Sequence, residues 1–376
     1  MDDRGIATML REVERNEPTI AWADVQERTP GRLPRSPRRW PTVVVAAAVA
    51  ALPFAFLLAA IRPFGDDTGD VGPPGAILFD RRATIDSADV TEQRSQIWSV
   101  RPDGTGAKLL YDVPDAYDEA AVWSPDGSRI LFTSVSPDGE GGLFLLDADG
   151  TGLHEVRPRF ACDAISWFPD GRRVLCAGGP WSSSDEGHVI DRGIWRVDVD
   201  SGDVEKVFDH GFTYPSISPD GRRVVMICVT GVLNAKPVSE LFVGNVDGSG
   251  VRQLTDAETG HYGSVAWSPD GSTLATSWEP IDGVLAFDLY RVDPSNGTRR
   301  RLTDWVGWDG SPVWSPDGSR IAFVSDRTAD PGERARWVAD GTGPFEQSVF
   351  VMHADGSDPR LLVQGEDFAS PTSWGP

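Results

Sequence analysis

From residue 76 to the end, short apolar runs bounded by polar turn residues recur in a fixed order. One run ends at Trp314-Ser315-Pro316-Asp317-Gly318, and the next, Ile321-Ala322-Phe323-Val324-Ser325, follows at once. Proline sets φ, aspartate caps the backbone locally and glycine takes the positive-φ position. The pentapeptide therefore predicts a tight turn between two strands. Copies stand at residues 123–127, 167–171, 217–221 and 267–271. A third apolar run comes next in each unit, at 97–100, 143–146, 194–197, 241–243, 289–292 and 349–352. Each of these leads into a Gly-containing hairpin signal such as Asp247-Gly248 or Asn296-Gly297, followed by a fourth strand.

Four antiparallel strands per unit, repeated radially, predict an all-β, six-bladed β-propeller over residues 76–376. The first strand has only five full copies, and its sixth stands at the end of the chain. Ser370-Pro371-Thr372-Ser373-Trp374 resembles Ser311-Pro312-Val313-Trp314, with a one-residue ambiguity of register. Residues 76–81, in turn, look like a second strand without a first. The last strand of the chain is therefore expected to complete blade one, removing an open sheet edge.

Residues 1–75 follow other patterns. Ile6, Met9, Leu10 and Val13 have helical spacing, and residues 28–41 combine prolines with Arg28, Arg32, Arg35, Arg38 and Arg39. Together they read as a cytoplasmic segment (1–41) of a short helix and a basic linker. Residues 42–61 carry no charge. At about 1.5 Å per residue they match a hydrocarbon core of about 30 Å, which predicts a transmembrane helix. The arginines on its N-terminal side put residues 1–41 inside the cell and the rest outside. Residues 62–75, rich in Gly, Pro and Asp, read as a tether.

The repeat pattern Trp-Ser-Pro-Asp-Gly-Ser-Arg-Ile-Ala-Phe-Val-Ser-Asp-Arg, at residues 314–327, resembles the PD40 (WD40-like) repeats of the TolB C-terminal propeller. Similar repeats occur in the propellers of prolyl oligopeptidase-type peptidases. The resemblance covers residues 76–376 and implies the fold. TolB carries an α/β domain ahead of its propeller where this chain has the predicted anchor, so Tol–Pal function is not carried over.

The formal net charge is −22. Nearly all of it belongs to the part predicted to be exported: residues 1–61 sum to +1 and the remainder to −23. Such a balance excludes nucleic acid as a partner. There is no Gly-x-Ser-x-Gly elbow and no His-Glu-x-x-His motif, and His154, His188, His210, His261 and His353 are scattered over different units. A calcium ion held by Glu119, Asp163 and Asp309 is the one candidate cofactor, since hard cations take oxygen ligands. Cys162 and Cys176 fall on neighbouring strands of one blade. They form a candidate disulfide, or else two buried thiols, and Cys228 reads as a buried small hydrophobe.

Strand order assigns two faces. The Ser-Pro-Asp-Gly and Asp-Gly turns share one face and are tight, which makes it the quieter of the two. The other carries the connections between blades and the segments 81–96, 178–193, 229–240 and 326–348, expected to be long loops. On this loop face the crossings hold Asp118, Glu119, Asp163, His210, Tyr214, His261, Tyr262, Trp305, Trp308 and Asp309. They precede innermost strands and are expected to ring the tunnel mouth as a candidate ligand site. The functional expectation is a membrane-anchored scaffold or sensor binding an envelope protein, peptide or glycan. The alternative is an envelope-polymer hydrolase or lyase using rim carboxylates as acid and base.

Overall fold

The computed structural model describes residues 75–376, apart from 88–89, 113–116, 136–140, 157–159, 185–186, 210, 234–235, 257–259, 281–285, 333–345 and 366–367. The predicted cytoplasmic segment and transmembrane helix lie outside the described residues. Among the described residues no helix is long and apolar enough to cross a membrane.

The apolar runs form six antiparallel sheets, each built on four strands read from the axis outward, with Gly187–Ile190 as a fifth in blade three, and together they make a six-bladed β-propeller. Blade four illustrates the unit: Phe212–Ile217, Arg223–Leu233, Lys236–Asn245 and Arg252–Gln253. Successive residues of a second strand face opposite neighbours. Val224, Met226 and Cys228 pack against Leu175, Ile194 and Phe208 of blade three. Val225 and Ile227 pack against Tyr262, Trp267 and Leu274 of blade five. Both faces of every blade are therefore buried, which is why these strands read as unbroken apolar runs. The core is not one mass but six wedges, one between each adjacent pair of blades.

The Ser-Pro-Asp-Gly turns fold as their chemistry requires. Ser315 Oγ donates to Asp317 Oδ1 at 2.7 Å, Ser319 N donates to the same oxygen at 3.0 Å, and Gly318 takes φ +70°. These bonds to the ionised form hold the Asp126, Asp270 and Asp317 carboxyls at about 2. The turns also touch across the ring: a Cβ at Gly221 would stand 3.1 Å from Pro169 Cδ of the preceding blade.

The repeat tryptophans join blade to blade. Trp267 Nε1 donates to the Ser216 carbonyl of blade four at 2.9 Å, Trp314 Nε1 to Ala266 O of blade five at 3.3 Å, and Trp123 Nε1 to Ala76 O of blade one at 3.1 Å. Serines at the step before the turn add a second link. Ile217 N donates to Ser166 Oγ at 3.0 Å and Trp123 N to Ser373 Oγ at 3.1 Å.

Blade one is closed by the end of the chain. Phe368–Trp374 pairs with Ile77–Ser87, and Trp374 stands opposite Ile77 as Trp314 stands opposite Ile321. The register ambiguity resolves as a β-bulge: Leu78 meets Ser373 and Phe79 meets Pro371, leaving Thr372 as the extra residue. Every innermost strand carries such a bulge. Gly75 N donates to Pro376 O at 2.7 Å and Gly375 N to Ala76 O at 2.8 Å, which fastens the start of the propeller to its end.

The structure corrects one expectation. Three of the four segments expected to be loops are β-structure instead. Ile77–Ser87 with Val90–Val100, Arg173–Ser184 with Gly187–Ile190, and Arg223–Leu233 with Lys236–Asn245 continue as antiparallel hairpins above blades one, three and four. Only two residues separate the paired strands in each case, so the ladder of each blade runs on into its hairpin.

Trp314 is buried and also bonds to its neighbour, so Trp314→Ala should lower unfolding free energy by about 3–5 kcal/mol, read from equilibrium urea unfolding. A change below about 1 kcal/mol would show that the wedge does not depend on it.

Candidate functional site

The tunnel has two ends of different chemistry. At the Ser-Pro-Asp-Gly end lies a cavity of about 410 Å³ to which all six blades contribute. Its walls are the ends of the innermost strands: the prolines Pro125, Pro219, Pro269 and Pro316, the hydroxyls of Ser166, Ser216, Thr372 and Ser373, and the edges of Trp267 and Trp314. None of the described residues lining it has a charged side chain. This cavity lies on the face expected to be the quieter of the two. The available signal was the repetition of Ser-Pro at the ends of strands that must line the axis.

The opposite end carries the three hairpins. Several large apolar side chains exposed in this structure belong to this face: Tyr214 (48%), Val229, Val232 (69%), Leu233 and Val306 (74%). Tyr214 occupies the bulge of the innermost strand of blade four at φ +49°, a backbone conformation rarely adopted by an L-residue. Val229, Val232 and Leu233 belong to the hairpin above the same blade.

The structure brings three of the sequence candidates together, in a buried knot between blades five and six. Asp326 Oδ1 accepts from Trp305 Nε1 at 2.6 Å and from Trp308 N at 3.0 Å. Asp309 is fully buried and accepts from Arg327 Nη2 at 2.7 Å. The Arg327 guanidinium also lies over the rings of Trp305 and Phe323, 5.3 Å from each centroid. Asp288 gathers Arg301 Nη2 at 2.6 Å and Trp305 N at 3.1 Å. Burial pushes the Asp309 carboxyl up to about 6 against the pull of Arg327. Trp305 and Trp308 are thus tied down by polar bonds that the sequence pattern did not reveal, because Asp326 and Arg327 read as the mere end of a strand.

The other candidates stand apart. Asp163, the bulge residue of blade three, is exposed and paired with Arg192 at 2.7 Å. His261 shares a hydrogen bond of 3.1 Å with Ser239 Oγ, and burial lowers its pKa. Tyr262 is buried in the wedge between blades four and five, so its ring faces the neighbouring blade rather than the tunnel mouth. Asp118 and Glu119 sit in the innermost strand of blade two opposite Ser134 and Thr133, and their side chains lie outside what the structure describes. His210 also lies outside the described residues. Among the described residues no three of His, Cys, Asp or Glu stand close enough together to hold a metal ion. Cys162 and Cys176 are joined as a disulfide between the first two strands of blade three, with Cα atoms 5.6 Å apart. Cys228 is free and buried, with its thiol pushed up to about 12 by desolvation.

Comparison with known proteins agrees with this architecture. The PD40 family, described as the TolB beta propeller domain, matches residues 229–333. An uncharacterised protein of Agrobacterium fabrum is 29% identical over 161 residues, which cover 41% of this chain and 52% of that protein. The chain thus spans about half the length of that curated relative. Among solved structures, TolB from Acinetobacter baumannii superposes with a TM-score of 0.61 at 18% identity, covering 80% of this chain and 67% of that one. Hydrazine synthase from Kuenenia stuttgartiensis superposes at 0.57 with 15% identity, covering 81% of this chain and 47% of that one. At these identities the structural likeness is one of fold.

The buried Asp309–Arg327 pair gives a pH-dependent prediction. Arg327→Leu leaves a buried carboxylate without its cation and should cost about 3–5 kcal/mol at pH 8. The folded-state pKa of Asp309 is raised above its ordinary 3.8, so protonation favours the folded state. Removing Arg327 raises it further. The deficit should therefore shrink as pH falls from 8 towards 5, as measured by urea unfolding at several pH values. A deficit constant over that range would show that Asp309 does not titrate there.

Proposed function

We propose that this chain is a membrane-anchored, extracytoplasmic TolB-like propeller that acts as a binding scaffold or sensor at the cell envelope. Its ligand is a protein, peptide or glycan, and binding uses the hairpin-bearing face. The observation that carries the reading is the concentration of exposed Tyr214, Val229, Val232, Leu233 and Val306 on the one face that also raises three hairpins. Exposed apolar side chains on a rigid, polar-rimmed scaffold are the usual mark of a contact surface. The uncharged run 42–61 with its N-terminal arginines supports the anchor, and the Cys162–Cys176 disulfide supports an oxidising compartment.

These exposed residues are better probes than Trp305 and Trp308, whose bonds to Asp326 and Asp288 make their loss a structural change. The triple variant Val232→Asp, Leu233→Asp, Val306→Asp should keep the wild-type melting temperature. It should also lose most of the specific capture of envelope components by the immobilised propeller. Undiminished capture by the stable variant would place binding elsewhere.

A further inference from the structure

The topology of ring closure fixes which face of the propeller looks at the membrane. Blade one begins at its second strand, Ile77–Ser87, because its first strand comes from the end of the chain. Second strands start at the Ser-Pro-Asp-Gly face and run towards the hairpin face. The chain therefore enters the propeller on the Ser-Pro-Asp-Gly face. It enters near the axis rather than at the rim: Gly75 N donates to Pro376 O at 2.7 Å, and Trp374 and Pro376 both line the axial cavity.

Thirteen residues, 62–74, separate this point from the uncharged run 42–61. At 3.3–3.6 Å per residue they reach at most about 45 Å. To turn the hairpin face towards a bilayer, the tether would have to cross a blade and then run along its height. From the second strand outward two spacings of about 4.8 Å make some 10 Å, and the eleven residues of Ile77–Ser87 add about 36 Å. That detour takes up the whole of the fully extended tether, whereas a path from the Ser-Pro-Asp-Gly face straight to the bilayer needs no detour.

We infer that the propeller is held with its Ser-Pro-Asp-Gly face, and the mouth of the axial cavity, against the lipid bilayer, and presents its hairpin face away from the membrane. This rests on the anchor reading above. It makes the lipid surface the neighbour of the cavity mouth. The exposed side chains Tyr214, Val232 and Val306 then meet partners arriving from the far side, so a partner embedded in the same bilayer must rise above the propeller to reach them.

One strand supplies both reporters. Arg222 sits in the turn before Arg223–Leu233, and Val232 lies near the other end of that strand; both side chains are exposed. Arg222→Cys and Val232→Cys can be labelled selectively, because Cys162 and Cys176 are paired and Cys228 is buried. The full chain carrying one donor dye is reconstituted into phosphatidylcholine–phosphatidylglycerol nanodiscs containing a headgroup-labelled acceptor lipid. The proposal expects strong energy transfer at position 222 and loss of most of it at position 232. Inserting about thirty Gly/Ser residues between Asp70 and Val71 should abolish that difference. Equal or reversed transfer with the native tether overturns the orientation while leaving the anchor intact. A chain that does not co-purify with the nanodiscs overturns both.

Discussion

Contact between adjacent blades is the constraint on which the rest of the molecule depends. No blade can bury its own apolar residues, because both of its faces are apolar: Val224 and Val225, adjacent in one strand, belong to wedges on opposite sides. Each blade is stable only between two neighbours, and the ring only when the last gap is closed. The Trp267–Ser216 and Trp314–Ala266 bonds give their two wedges a fixed register as well as apolar contact, since an unpaired buried indole N–H would carry a penalty. In blade four Ile217 stands where the indole would be, and the backbone bond from Ile217 to Ser166 keeps the link.

This constraint also separates the two faces. The tight turns are occupied with holding the ring, through Asp317 capping its own turn and Gly221 lying close to Pro169. The other face is free to vary, and there blades one, three and four extend into hairpins while blade six builds the knot of Asp309, Asp326 and Arg327. That knot spends charged groups on rigidity between blades five and six. It leaves surface contact to Val306, two residues before Trp308 in the same connection.

The fold was legible in the sequence because its signals are local and repeated. Trp-Ser-Pro-Asp-Gly states a strand end and a turn in five residues, and the unmatched Ser370–Trp374 reveals closure without any knowledge of contacts. The candidate site was legible only in part. Tunnel-mouth positions follow from strand order, but whether Tyr262 or Asp309 faces the tunnel or a neighbouring blade depends on the bulge in each innermost strand, and a one-residue bulge leaves no distinct composition. The length of segments 178–193 and 229–240 was visible, whereas their continued pairing was not, because alternation is weak beside Gly and Pro. The axial cavity went unseen because Ser and Pro at a strand end read as turn formers whether or not they line a space.

Ring closure by the last strand is the central claim, and hydrogen exchange across blade one tests it most directly. In the intact chain the amides of Ile77–Asp80 should exchange as slowly as those of Ile321–Val324 in blade six, through global opening alone. A chain ending at Glu366 lacks the closing strand, and there the amides of blade one and of its neighbours in blades two and six should exchange far faster, with unfolding no longer a single transition. Unchanged protection at Ile77–Asp80 and one cooperative transition at the same midpoint would contradict the account.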